Sequence, residues 1–258
     1  MNLPTVPAES TLATKLTRAA VLAPLGESAL PARTLRRVGE AISFGIFEVG
    51  EKLPPEAELA EQLGVSVMTL REALAILRES GYLETRRGRN GGTFVVARAK
   101  LLDRHHRLKI SEVTETYLQD LTGYRLAIEG QCAALAAQQV TEEEVSELHA
   151  SIDQMEAAED LETFRKYDAA FHIGIASCTR SYRLARAETE LQSELNSIIG
   201  LFEVGYNARH MTNDDHRNIL KAIADGNGEE ARSLMNTHVS SAHDAILGFV
   251  RATQSTAG

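Results

Sequence analysis

The sequence predicts a mainly α-helical protein of two domains. Between Leu53 and Val96, two short helical patterns flank a glycine and are followed by two short strand patterns. After Ser111, apolar residues recur every three or four positions through six segments, and no strand pattern interrupts them. We therefore predict an N-terminal winged helix-turn-helix with a small β-hairpin wing, followed by an all-α bundle of six to seven helices.

The chain of 258 residues is long enough for two domains and their connections. We predict a flexible tail over 1–30, a winged helix-turn-helix domain over 31–98, a linker over 99–111 and the helical domain over 112–252. The sequence has no apolar run of membrane-spanning length and no signal peptide, so we expect a cytoplasmic protein without a membrane partner. The two cysteines, Cys132 and Cys178, fall inside helical patterns and are expected to be reduced core residues.

Each element of the first domain has its own local signal. The first helix is predicted over 34–47 from apolar residues three to four positions apart. The second begins after Pro55 and ends at Gly64, and Ser66 is a natural N-cap for the third, which ends at Gly81. The strands are predicted over 82–85 and 93–96, with arginines and glycines at the tip between them.

These elements favour binding to DNA. The early residues of the third helix would face base edges if that helix lay in a major groove. Arginines beside glycines at the hairpin tip would let charge and backbone approach phosphates closely. The alternative is a structural three-helix bundle with a basic loop.

The distribution of charge agrees with DNA binding, although the whole chain has a net charge of −9. Residues 1–100 contain 13 Lys and Arg against 11 Glu, a net charge of +2. The remaining 14 Lys and Arg against 25 Asp and Glu give residues 101–258 a net charge of −11. The positive charge is concentrated between Val67 and Lys100, where 7 basic residues oppose 3 acidic ones.

This segment resembles the DNA-binding domain of the GntR family of bacterial transcription regulators. The matching residues are Gly45, Gly50, Leu53, Pro54, Glu56, Glu58, Leu59, Ala60, Leu63, Gly64, Val65, Ser66, Thr69, Arg71, Glu72, Ala73, Leu74, Leu77, Gly81, Gly92, Thr93, Phe94 and Val95. The resemblance implies DNA contacts from Ser66, Thr69, Arg71, Arg87, Arg89 and Gly91, made by a homodimer on a palindromic operator. The chain departs from the family at Ala57 and Val67, where arginine is usual.

The second domain is predicted to consist of helices over 112–138, 141–157, 160–178, 181–204, 208–225 and 227–252. Arg125 lies in the middle of an apolar stripe on the first of them, so it needs an anionic partner. That partner is either Glu129, one turn away, or the carboxylate of a bound ligand.

Four further polar residues lie on apolar faces of different helical turns: Asp168, His172, His216 and His238. One carboxylate and three imidazoles suit a divalent transition metal, and bundle cores are where such sites are built. The alternative is that each histidine is an ordinary core residue with its own hydrogen-bond partner.

Residues 112–245 resemble the effector domain of the FadR subfamily of GntR regulators, known as the FCD domain. The matching residues are Arg125, Ile128, Glu129, Ala136, Ala137, Thr141, Asp168, Phe171, His172, His216, Ile219, Ala222, Ile223, Ala231 and His238. The resemblance implies that Asp168, His172, His216 and His238 bind a divalent metal, above all zinc, with nickel and manganese as other candidates. It also implies that Arg125 holds a small organic acid effector. One departure is Arg180, where asparagine is common.

Together these features predict a ligand-responsive transcriptional regulator and not an enzyme. The family resemblance implies repression that the ligand relieves, with activation as the alternative. One alternative is a DNA-binding regulator whose metal is purely structural, since four protein ligands can close a tetrahedral zinc site. Another is a metal-dependent hydrolase, for which Glu129 and His210 are weak candidates for the general base.

Overall fold

The structure, a computed structural model, describes residues 30–88, 91–96, 113–199 and 206–255, with residues 206–212 and 253–255 described by their backbone alone. The chain divides into two compact units between His106 and Arg107. Most of the predicted tail and linker, and the candidate contact Arg89, lie outside the described residues. Within the described residues, no helix has the length and apolar character needed to cross a membrane.

The first unit contains three helices and a hairpin. They are α1 (Leu30–Ser43), α2 (Glu56–Leu63), α3 (Val67–Glu79), β1 (Leu83–Arg86) and β2 (Gly92–Val95). The two strands are antiparallel, with Leu83 opposite Val95 and Arg86 opposite Gly92. The predicted winged helix-turn-helix is therefore confirmed as a fold, with each strand displaced by one residue from its predicted position.

The turn between α2 and α3 forms for the reasons that the sequence suggested. Gly64 ends α2 in a left-handed conformation (φ 65°), and its N–H faces the carbonyls of the last turn. Ser66 caps α3 because its hydroxyl accepts a hydrogen bond of 3.0 Å from the backbone N–H of Thr69. Leucines of the two helices then meet in the core, where Leu59, Leu63, Leu70, Leu74 and Leu77 are fully buried.

The prediction for the first helix is wrong at both ends. Helix α1 already includes Leu30 and ends at Ser43, rather than running from Thr34 to Phe47. The chain turns after Ser43 because Gly45 adopts a left-handed conformation (φ 66°) that other residues rarely reach. Ile46 and Phe47 are buried beyond that turn, so their apolar character was misread as one more turn of helix.

The second unit is an all-helical bundle, as predicted. Its described helices are α4 (Glu115–Ala136), α5 (Glu142–Glu156), α6 (Leu161–Cys178), α7 (Tyr182–Ile199), α8 (Tyr206–Ala224) and α9 (Gly228–Ser255). Helix α4 packs along α9, α6 packs between α5 and α7, and α8 packs against α5 and α9. One apolar cluster, which includes Leu118, Leu191, Leu195 and Val250, joins α4, α7 and α9.

The start of α5 and the turn after α6 are tied together by charge. Thr141 and Glu144 form a capping box at the start of α5, each side chain bonded to the other's backbone N–H. Arg180 has the left-handed conformation (φ 57°), which asparagine adopts more readily than arginine. Its guanidinium donates to both carboxylate oxygens of Glu144, at 2.9 Å to Oε2, and this pair holds the residue in place.

Candidate functional site

Three histidines from three helices meet inside the bundle. His172 of α6, His216 of α8 and His238 of α9 are all buried. Their ring centroids are 4.7 to 5.3 Å apart, and one ring nitrogen of each lies within 4.8 Å of the others. Phe171 packs against the His216 ring at a centroid distance of 4.6 Å and closes one side of the cluster. The helices thus bring together three ligands that are far apart in sequence.

Neither ring nitrogen of His216 has a hydrogen-bond partner among the described residues. The residue has no exposed surface. Burial, followed by the charges of His238 and His172, holds its pKa well below the usual range. His216 is therefore neutral at pH 7, which is the form that binds metals, and a bound ion would satisfy a nitrogen that is otherwise left unpaired.

Each histidine has a carboxylate near one of its nitrogens. Asp168 Oδ1 is 3.4 Å from His216 Nε2, and its side chain remains about one-fifth exposed (21%). Glu129 Oε2 is 3.1 Å from His172 Nδ1, and Asp215 Oδ2 is 3.5 Å from His238 Nδ1. A carboxylate beside Nδ1 leaves Nε2 for a metal and fixes the orientation of the ring. Asp168 is placed differently, beside the nitrogen that would bind the ion.

Arg125 is paired with Glu129, the internal partner that the sequence offered. The guanidinium Nε donates to Oε1 at 2.6 Å and Nη2 donates to Oε2 at 3.3 Å, and both residues are buried. Burial raises the pKa of the Glu129 carboxyl, but the charges and hydrogen bonds of Arg125 and His172 together lower that pKa far below its usual value. Glu129 therefore stays ionised and connects Arg125 to His172.

The sequence interpretation missed Glu188. This residue of α7 is buried, accepts a hydrogen bond of 2.8 Å from Gln192 Nε2, and has no partner for Oε2 among the described residues. Burial, with the charge of Glu129 next, raises its pKa to about 7. Glu188 follows Ala185 and precedes Leu191 and Leu195 on the buried face of α7, so the criterion that found Arg125 would have found it too.

Two groups of side chains have the composition of a metal site, and they share His172. One is His172, His216 and His238, and the other is Glu129, His172 and Glu188. In the second group both oxygens of Glu129 already face Arg125 and His172. The three-histidine group has unpaired nitrogens and Asp168 beside it, so its residues fit a divalent ion better.

The candidate DNA contacts of α3 lie on the exposed side of the first unit. Ser66 is exposed, and its hydroxyl lies 2.9 Å from the hydroxyl of Thr69 in addition to capping the helix. Arg71 is exposed on the next turn, where its Nε donates to Glu56 Oε2 at 2.6 Å. Because Glu56 belongs to α2, this ion pair orients Arg71 across the turn of the motif.

The wing places backbone and charge at its tip. Gly91 donates from its N–H to the carbonyl of Gly88 at 2.9 Å, and a Cβ at Gly91 would lie only 2.5 Å from the carbonyl oxygen of Arg86. Any larger residue at position 91 would therefore disrupt the tip. Arg86 lies over the Phe94 ring, 4.2 Å from its centroid, whereas Arg87 is exposed. Arg87 and Gly91 thus lie at the tip of the wing, and their contact with DNA stays a prediction.

Two family models match these two units. The family described as bacterial regulatory proteins, gntR family, matches residues 32–95, and the FCD domain matches residues 120–241. The chain is 36% identical to the HTH-type transcriptional regulator RmpR of Mycobacterium gastri, over 80% of this chain and 76% of that one. The chain belongs to the GntR family. It is a transcriptional regulator with an FCD domain, not an enzyme, so the hydrolase alternative is discarded.

The chain matches two further relatives over a similar share of their length. The Exu regulon transcriptional regulator of Escherichia coli is 31% identical over 78% of each chain. An Escherichia coli protein named for regulation of the L-lactate dehydrogenase operon is 31% identical over 83% of this chain and 84% of that one. The solved structure of Escherichia coli McbR/YncC has the same fold, with a TM-score of 0.53 and 19% identity over 85% of this chain and 98% of that one.

Proposed function

We propose that this GntR-family protein is a repressor that binds a palindromic operator as a homodimer and is released by a small organic acid. The reading surface of each subunit consists of Ser66, Thr69 and Arg71 with the wing residues Arg87, Arg89 and Gly91. The effector binds in the FCD domain beside a divalent metal, most plausibly zinc, held by Asp168, His172, His216 and His238. Such a protein works beside the chromosome, in the bacterial cytoplasm.

The observation that supports this proposal best is the state of His216. A buried imidazole without a partner for either nitrogen is unfavourable in a protein interior. The same imidazole gains a ligand bond when a metal binds between it, His172 and His238. Nickel or manganese would also fit three imidazoles and a carboxylate, and zinc is favoured because it accepts tetrahedral nitrogen and oxygen ligands.

A bound metal would favour the binding of an anion beside the histidines. Glu129, Asp168 and Asp215 are three carboxylates near the rings, and the guanidinium of Arg125 pairs with Glu129. A divalent ion would add two positive charges to this group. A carboxylate is therefore attracted more strongly to the loaded site than to the metal-free one.

In this proposal Arg125 binds the effector through an N–H group that does not donate to Glu129. Its Nε and Nη2 are directed at Glu129, which leaves Nη1 to donate to an effector carboxylate without breaking the buried ion pair. A monocarboxylate that binds both the metal and Nη1 would then be fixed at two points. One relative is named for an L-lactate dehydrogenase operon, and lactate is a small monocarboxylate.

Binding at this site would lower operator affinity by favouring one of two states of the dimer. The effector binds more tightly to the state that reads the operator less well, and operator binding weakens effector binding by the same factor. The direct test is a thermal-shift screen of zinc-loaded and chelator-stripped protein against mono-, di- and tricarboxylates and sugar acids. A ligand at 100 times its dissociation constant stabilises the native state by about 2.7 kcal/mol.

We expect at least one acid to raise the melting temperature of the zinc-loaded protein and none to raise that of the stripped protein. The response should disappear in His172→Ala and weaken in Arg125→Lys, which keeps a charge for Glu129. His149→Ala is the matched control, because His149 is exposed on α5, where its Nδ1 lies 3.4 Å from Asp153 Oδ2. A silent screen with zinc bound would contradict effector sensing and favour a purely structural metal.

A further inference from the structure

Met68 is exposed at the start of the helix that would enter the DNA groove. With 63% of its surface accessible, it is the most exposed of the large apolar residues in the described part of the chain. It occupies the first turn of α3, next to the half-buried Val67.

The polar groups around Met68 are already engaged within the protein. The Ser66 hydroxyl accepts from the Thr69 N–H, and the hydroxyls of Ser66 and Thr69 are hydrogen-bonded to each other at 2.9 Å. Arg71 is held by Glu56 at 2.6 Å. The first turn of α3 therefore presents the thioether of Met68 and the methyl groups of Val67 beside polar side chains that also form hydrogen bonds within the protein.

The base edges in the major groove offer an apolar side chain one apolar group to contact. In the major groove each base pair presents hydrogen-bond donors and acceptors, and thymine alone adds a methyl group, at C5. The positive charge that a duplex requires lies nearby, on Arg71 and on the exposed Arg87 of the wing. Charge and position thus favour DNA as the occupant of this apolar surface.

We infer that Met68, with Val67 beside it, reads the C5-methyl groups of thymines in each operator half-site. This inference rests on the proposed function, because it requires that α3 enters the major groove. Met68 is well suited to the task, since its unbranched, polarisable side chain can adapt to methyl groups on either strand. Specificity at these positions then comes from apolar contact rather than from the hydrogen bonds that an arginine would donate to guanine.

The test replaces thymine by uracil, which removes the methyl group and keeps every hydrogen-bonding atom. An operator is first selected from random duplexes with the full-length protein, and each thymine of a half-site is then replaced in turn. We expect about a fourfold loss of affinity at one or two positions per half-site, which corresponds to about 0.8 kcal/mol for a buried group of methyl size. Fluorescence anisotropy at one fixed salt concentration measures the affinities.

A variant identifies the side chain that contacts the methyl group. In Met68→Ala the thymine and uracil operators should bind equally at the sensitive position, because the contact is already lost. Val49→Ala, which removes methyl groups from a residue that is 52% exposed outside α3, should keep the fourfold difference. Since Met68 and Val49 are both exposed, neither change should alter the folded state, and circular dichroism checks this.

Two results would overturn the inference while leaving the proposed function intact. One is an operator that binds well but whose affinity is unchanged by uracil at every position. The other is a uracil penalty of the same size in wild type and in Met68→Ala. If selection enriched no DNA sequence at all, DNA reading itself would fail, and the proposed function would fall together with the inference.

Discussion

The proposed DNA-reading surface and the proposed metal site of the histidines use polar residues in opposite ways. The described reading residues fall within one short segment, from Ser66 to Gly91, and most of them face solvent. The histidine site takes residues from α4, α6, α7, α8 and α9, and most of its polar groups are buried. In the first case water can satisfy any group that lacks a partner, and in the second only protein, metal or ligand can do so.

This difference predicts how each site tolerates substitution. An exposed ion pair such as Arg71–Glu56 contributes about 0–1 kcal/mol to stability, because solvent screens the charges. Removal of one member of a buried pair leaves a charge without its partner and typically costs about 3–5 kcal/mol. The reading surface can therefore change with little effect on the fold, whereas changes in the histidine site destabilise the bundle.

The largest effect is expected for Arg125→Ala. This change leaves the Glu129 carboxylate buried opposite His172 alone, so the bundle should lose about 3–5 kcal/mol. Arg71→Ala should change stability by less than about 1 kcal/mol while it weakens DNA binding. Urea unfolding measures both. The double variant Arg125→Met with Glu129→Gln should recover part of the stability that Arg125→Ala loses. Similar stabilities of Arg125→Ala and Arg71→Ala would contradict the comparison.

Metal should give the next largest effect and act on the bundle alone. Zinc at 100 times its dissociation constant should stabilise the native state by about 2.7 kcal/mol, and a chelator should reverse this. Arg71→Ala should respond as the wild type does, whereas His216→Ala should show no stabilisation. If His216→Ala gained as much from zinc as the wild type, the ion would be bound elsewhere.

Much of the fold and part of the site could be predicted because their signals are local. The spacing of leucines, Gly64 and the Ser66 cap defined the helix-turn-helix, and the Thr141–Glu144 capping box defined the start of α5. Periodicity also placed Arg125 and the three histidines on buried faces. The end of α1 was misplaced because Ile46 and Phe47 are buried by a turn of the chain. In so short a stretch, buried apolar residues of a turn cannot be distinguished from those of one more helical turn.

The rest depends on which helix faces which, and periodicity does not contain that information. The sequence could not decide whether Arg125 would face Glu129 or a ligand. The sequence gave no reason to connect Asp215 with His238. Asp215 precedes His216 on α8, and neighbouring residues of one helix point in different directions. Glu188 is a different case, because its buried position followed from the pattern and was overlooked.

A smaller effect is expected for Ser66→Ala, which removes the N-cap of α3. The Thr69 N–H loses its partner, and loss of such a cap costs about 1 kcal/mol. Because the damage is local to the reading surface, operator affinity should fall while zinc binding to the bundle is unchanged. Ser66→Asp restores a cap and should recover stability, although its charge would weaken DNA binding. Equal stability of Ser66→Ala and wild type would contradict the capping role.

The smallest effect is expected for Arg180→Asn, a change of less than about 1 kcal/mol at neutral pH. Arg180 is half exposed (46%), and asparagine fits the left-handed backbone better, which offsets the loss of the pair with the buried Glu144 carboxylate. Burial raises the pKa of Glu144, but the bonds from Arg180 and Thr141 lower it further, so the folded-state pKa lies below the ordinary 4.5. A lowered pKa adds stability above 4.5 that is lost as pH falls through the folded-state value. Acid should therefore destabilise the wild type slightly more than Arg180→Asn. Urea unfolding of both proteins, at neutral pH and at a pH below 4.5, measures this difference.

The most direct test of the histidine site is the number of zinc ions bound per chain, measured by native mass spectrometry on chelator-stripped, reloaded protein. Three proteins are compared: wild type, His216→Ala and Glu188→Gln, with circular dichroism to check folding. We predict one ion in the wild type and in Glu188→Gln, and none in His216→Ala. Retention of zinc by His216→Ala together with its loss in Glu188→Gln would place the metal between Glu129, His172 and Glu188 and contradict this account, as would a wild type that binds no zinc.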